Sequence, residues 1–148
     1  MPGEFYLEGK QEKLNLQAIL ARLDEILAKL GEVADVEPSS DSVTADWNAA
    51  ESEVVTIGAA DTPYRLHSLL VSIHSLAGTI ITVRMYMSVN GVERKVYQQV
   101  FNPASDPPGL WLVNGTIGIH QALRVTLESN DIADNGRAVD YDYLLEAV

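Results

Sequence analysis

TIITVRMYMSVNGVERKVYQQVF, residues 79–101, decides the fold class. Ile81, Val83, Met85, Met87 and Val89 alternate with Thr82, Arg84, Tyr86 and Ser88, the period of two that a half-buried strand requires. Asn90-Gly91 follows, and this pair tolerates the two positive φ angles of a tight type I′ hairpin. Val92 to Phe101 then returns as the partner strand.

Working outward, the same grammar continues on both sides. Asn102-Pro103 through Pro107-Pro108-Gly109 makes a stiff loop that no strand crosses. Leu110–Val113 and Thr116–His120 flank Asn114-Gly115, a second hairpin signal. Leu123, Val125 and Leu127 alternate with Arg124, Thr126 and Glu128, and a last strand sends Val139, Tyr141, Tyr143 and Leu145 to one side. Upstream, Val54–Ile57 opens the pattern. Residues 65–76 set His67, Leu69, Val71 and Ile73 against Leu66, Ser68, Leu70, Ser72 and His74. That second face is too apolar for open water and calls for a neighbouring subunit or a covering loop. Seven or eight strands with short, even spacing and no intervening helices predict a mainly β chain, with an antiparallel, jelly-roll-like β-sandwich over residues 52–148.

Before residue 52 the period is different. Residues 10–31 read as a helix, with Leu16, Leu23 and Leu30 at heptad position a, Ile19, Ile26 and Val33 at d, and Leu20 and Leu27 at e. Leu at a with Ile at d shifts a coiled coil from two strands towards three or four. Gly31 suits a left-handed C-cap, Lys29 suits the negative end of the helix dipole, and Glu25 and Lys29 form an i,i+4 pair. Such a stripe can also pack on its own domain. Here the helix is terminal, and the acidic segment after it separates the two apolar patterns, which favours self-association. The expected interface is Leu16, Ile19, Leu20, Leu23, Ile26, Leu27 and Leu30. Fewer than three full heptads are marginal alone, so the β-domain should help to hold the oligomer.

From Glu32 to Glu53 there are seven acidic residues and no Lys or Arg, with Pro38, Ser39 and Ser40 among them. Residues 32–51 read as an acidic linker anchored by Val43 and Trp47, with room for a short strand over Ser42–Trp47. Residues 1–9 read as an arm carrying the apolar cluster Phe5, Tyr6 and Leu7, a segment that either docks or simply extends the chain.

Composition narrows the function classes. With no cysteine in 148 residues, a disulfide scaffold, a thiol enzyme and a zinc ribbon are excluded together. A formal charge of -11 disfavours nucleic-acid backbones and anionic membranes as partners. No apolar run is long enough to cross a bilayer, and the start lacks the regions of a signal peptide, so synthesis and folding in a cytoplasm are expected.

No residue set names a chemistry. Of the three histidines, His67, His74 and His120, the first two are seven apart in one strand, point to opposite faces and cannot share a metal unless a bulge intervenes. DIADNGRAVDYD, residues 131–142, puts Asp131, Asn135, Gly136 and Asp142 at positions 1, 5, 6 and 12 of a calcium loop. Ala133 at position 3, Asp at position 12 and flanking strands all depart from that pattern, so a polar turn is expected. Asp140 and Asp142 share one side of the last strand, as a solvated acidic face does. Hydrolase, kinase and phosphate-loop motifs are absent, and Asn114-Gly115-Thr116 reads as a turn rather than a glycosylation site. Trp47, Trp111, Tyr64, Tyr86 and Tyr97 could line a saccharide surface, although such aromatics more often fill a core or an interface. The expectation is a non-enzymatic protein with no cofactor and no metal.

The segments FYLEGKQEKLNLQAILARLDEIL, PYRLHSLLVSIHSLAGTI, NGVERKVYQQVF and GLWLVNGTIGIHQALRVTLES, about half the chain together, resemble small virion proteins of tailed bacteriophages. In these an arm and a short helix precede a trimerising β-sandwich. The likeness is one of layout, nearest to capsid decoration (cement) proteins and head or tail fibres. It implies a homotrimer in the virion whose partner is the major capsid protein or another virion protein. The alternative that it implies is a carbohydrate- or receptor-binding module of a head or tail fibre. An apolar triplet ahead of a solvated helix has no local surface to bury against, so Phe5, Tyr6 and Leu7 are expected to dock to the particle, unless the arm folds back along the helix.

Overall fold

The computed structural model describes residues 15–29 and 36–148. The chain divides into a unit ending at Asp35 and a unit spanning Val36–Val148. In the first, residues 15–29 form a helix, α1. The second is mainly β. Its strands are β1 (Val36–Asp46), β2 (Ser52–Ile57), β3 (Tyr64–Ser72), β4 (Ile81–Val89), β5 (Val92–Phe101), β6 (Gly109–Ile119), β7 (Leu123–Ser129) and β8 (Asn135–Ala147), with a 3-10 turn at Ile132–Asp134.

These form two antiparallel four-stranded sheets, ordered β1-β8-β3-β6 and β2-β7-β4-β5. The pairings nest. β4 pairs with β5, β3 with β6, β2 with β7 and β1 with β8, as if one long hairpin had been rolled into two sheets. Its turn is the Asn90-Gly91 hairpin, with φ of 50° and 77° at the two residues and Val89 opposite Val92. Both sheets turn their apolar faces to one core. Leu66, Leu69, Val71, Leu110, Val113 and Val139 come from one, and Val55, Ile57, Ile81, Val83, Val125 and Leu127 from the other.

Three sequence expectations change here. The acidic segment is not a linker along its whole length, because residues 36–46 form β1 and the β unit begins at Val36 rather than at residue 52. β1 is an edge strand hydrogen-bonded on one side to β8, and only Val43 and Ala45 of it pack against the core. A polar strand containing Pro38 suits such an edge, where charge and proline discourage further pairing.

Asn114-Gly115 is not a hairpin turn. β6 continues through it, and the register with β3 jumps from Leu66↔Ile117 to Ser68↔Asn114, which makes a bulge with Gly115 at φ 126°. Finally, β3 ends at Ser72 and changes phase near His67. Ser68 pairs with Leu144 where Leu66 pairs with Leu145, so β3 carries one extra residue against β8. That bulge turns Leu66 into the core and His67 outward, and it accounts for one of the leucines that made the second face too apolar.

Candidate functional site

Every residue of α1 is exposed. Leu16, Ile19, Leu20, Leu23, Ile26 and Leu27 retain 49–65% of their surface, and at 3.6 residues per turn they fall within an arc of about 120°. Burying six half-open side chains of this size would be worth on the order of 5 kcal/mol per chain before ordering losses. Leu30 and Val33, the next members of the seam, lie outside the described residues, as do Gly31 and the arm residues Phe5, Tyr6 and Leu7.

A second constellation covers the outer face of the β2-β7-β4-β5 sheet. Glu51 accepts hydrogen bonds from Thr126 Oγ1 at 2.6 Å, Tyr86 Oη at 2.6 Å and Arg84 Nη1 at 3.0 Å. Arg84 also reaches Glu128 at 2.8 Å, and Arg124, ion-paired to Glu93, lies 4.4 Å above the Tyr86 ring. Burial disfavours the charged form of Glu51. The Thr126 and Tyr86 hydroxyls and the charges of Arg84 and Arg124 outweigh it and hold the pKa below the ordinary carboxylate value. A depressed pKa contributes stability that is complete above the unfolded carboxylate value and is lost as pH falls through the folded one. Glu51→Gln should therefore cost about 1 kcal/mol at pH 7, a modest figure because the group is partly screened by solvent. Urea unfolding of both proteins from pH 7 down to pH 3 should show the difference closing in the acid range; a constant gap would mean that shape rather than charge is lost.

The stretch that resembled a calcium loop is a clasp. Asp131 caps the 3-10 turn by accepting from the Ala133 N–H at 2.8 Å. Asp134 is fully buried, and its carboxylate accepts from the N–H groups of Ala77 at 2.7 Å and Gly78 at 3.0 Å and from the Ser129 hydroxyl. Asn135 Oδ1 takes the Asn48 N–H at 2.8 Å, and Asp142 takes the Ser40 hydroxyl. Asp134, on which the turn depends, was not among the positions that the sequence pattern singled out. The one available signal was an acidic residue directly before Asn135-Gly136.

The histidines do not converge. His67 bridges Thr116 Oγ1 at 2.8 Å and Glu146 Oε2 at 2.7 Å, while His74 and His120 are exposed, His74 in the turn after β3. Among the described residues no three His, Cys, Asp or Glu side chains are grouped to hold a metal. Asp140 and Asp142 are both exposed.

The aromatic residues scatter. Trp47 is fully buried and donates its indole N–H to the Arg137 carbonyl at 2.8 Å, Tyr64 packs on the core, and Tyr86 belongs to the Glu51 network. Tyr97 and Trp111 alone of the five share a cleft of about 250 Å³ between β5 and β6, lined also by Gln99, Phe101 and Asp106.

No family model matches the chain, and no curated protein matches it significantly. Among solved structures the chain is similar to one described as "Structure of infectious bursal disease virus Gx strain", at 15% identity and a TM-score of 0.28. The match covers 75% of this chain and 33% of that one, so the chain spans about a third of that protein's length.

Proposed function

We propose that the chain is a non-enzymatic virion structural protein, a homotrimer that decorates or stabilises a phage capsid, in which a coiled coil of three α1 helices gathers three jelly-roll domains. The observation that carries the reading is the exposed stripe of α1. Six large apolar side chains in heptad spacing on a helix that leaves them in water require a cover, and Leu at a with Ile at d fits two further copies of the same helix. The nested pairing of eight strands into two sheets supports the jelly-roll assignment, an architecture of two Greek keys. Architecture alone does not assign a role. The virion location and the capsid partner come from the resemblance in layout, and the arm as docking segment from its apolar Phe5, Tyr6 and Leu7, with three weak arms acting together in place of one large contact.

Light scattering after size exclusion of the full chain should return three chain masses at micromolar concentration. Mass spectrometry of purified particles, with cryo-microscopy of the same sample, should find the chain on the capsid exterior. A monomer in solution removes the coiled coil; a trimer missing from particles removes the virion assignment and keeps the oligomer.

A further inference from the structure

The cleft between β5 and β6 lies where the two sheets end, since these are edge strands of different sheets joined by the proline-rich loop. Its floor and its wall have different chemistry. Trp111 is 58% exposed although its neighbour Leu110 is buried. A bulge in β6 lies beside it, since Leu69 pairs with Val113 but Leu70 with Trp111 and Leu112 is an extra residue, and Trp111 lines the cleft. Nothing in the core needs Trp111.

Around that face stand polar groups with open valences. Tyr97 donates its hydroxyl to Gln99 Oε1 at 2.6 Å, which fixes the amide so that its N–H donors are free of partners among the described residues. Asp106 Oδ2 accepts the Asn102 N–H at 2.7 Å, and Oδ1 takes no hydrogen bond from the described residues. One cleft therefore offers an aromatic residue, an amide donor and a carboxylate acceptor, with the amide and the carboxylate each held by a second contact.

We propose that this cleft binds one neutral pyranose ring of a saccharide, with the C–H face of the sugar on Trp111 and adjacent hydroxyls shared between Gln99 and Asp106. An apolar ligand would leave the amide and the carboxylate without partners. An acidic sugar would meet Asp106 in a chain of formal charge -11. At about 250 Å³ the space is below the usual range of drug-sized sites, about 300–1,000 Å³, which limits the ligand to a single ring or the end of a chain. The site is independent of the oligomer: it is complete within one copy, and three copies would add avidity without altering it.

The two tryptophans provide the readout, because Trp47 is fully buried and Trp111 is exposed. Full-length protein is titrated with methyl glucoside, methyl galactoside and methyl mannoside, with methyl glucuronide as the charged comparison and a proline-rich decapeptide as the competing occupant. Fluorescence and saturation-transfer NMR are recorded, and light scattering monitors the same samples. The expected result is saturable binding of at least one neutral glycoside with Kd on the order of 1 mM and saturation concentrated on one ring face. Trp111→Ala should weaken it about tenfold or more, Trp111→Phe should restore part, and Asp106→Asn should weaken it less, all with unchanged oligomer mass. Failure of all three neutral glycosides, binding that survives Trp111→Ala, tighter binding of the glucuronide, or selective capture of the peptide would each overturn the proposal.

Discussion

Asp134→Ala is expected to cost the β unit about 3–5 kcal/mol, and to lower its melting temperature by roughly 10–20 °C, more than Glu51→Gln or Asp131→Ala. The carboxylate is fully buried and takes three donors from two other segments: the N–H groups of Ala77 and Gly78 in the β3–β4 loop, and Ser129 at the end of β7. Truncation leaves donors that cannot reach water, and an unsatisfied buried group costs about 1–3 kcal/mol. The neighbourhood has no room to adjust, because a Cβ at Gly78 would already collide with Ser129 Oγ. Asp134→Asn should recover only part of the loss, since its amide puts a donor among donors. Asp131→Ala removes a cap on the exposed side of the same turn and should cost about 1 kcal/mol. Calorimetry of the three variants checks the order, and equal losses for Asp131→Ala and Asp134→Ala would show that the clasp is held by its turn rather than by its buried carboxylate.

Such a residue illustrates which parts of the molecule a sequence can disclose. Strands β4 and β7 were legible because their core faces are buried, so burial writes a period of two: Ile81, Val83 and Met85 are buried, as are Leu123, Val125 and Leu127. β5, which has no fully buried residue, was legible from the Asn90-Gly91 turn that returns it along β4. β1 was illegible for the opposite reason. An edge strand with two core-facing residues is held by backbone hydrogen bonds to β8, which any composition can make, and its acidic side chains read as a linker. The bulges at His67, Leu112 and Gly115 were hidden because an extra residue shifts the phase of the pattern, and at Asn114-Gly115 the shift looks like a turn. At the candidate sites the α1 stripe was written in its spacing, whereas Asp134 and the Tyr97–Trp111 cleft arise from segments far apart in the chain. Residues 131–142 contained enough polar groups to suggest a metal loop, but their oxygens face N–H and O–H donors of the protein itself.

Replacing Leu23 and Ile26 together with Glu is expected to convert the proposed trimer to monomers and to abolish most of the helical circular dichroism. These residues are the central a and d positions of the stripe, 49% and 53% exposed, so the substitution removes no packed side chain within α1 itself. In the assembled coil it places six carboxylates in the seam. Desolvating them would cost more than the roughly 5 kcal/mol per chain that the stripe can supply, so association should weaken by about a thousandfold or more. The helix should follow, because an isolated helix of about 15–20 residues is marginal in water without a packed face. The β unit has its own core of residues from both sheets, so its thermal transition should survive, shifted only by the loss of association. Ala21→Glu with Ala28→Glu adds the same charge on the opposite side of α1 and should leave three chains together. Light scattering and far-ultraviolet circular dichroism of the two double variants distinguish the cases. Retained mass in the Leu23/Ile26 variant would mean that the β unit alone holds the oligomer, and equal dissociation of both variants would mean that added charge, not the stripe, is what the assembly resists.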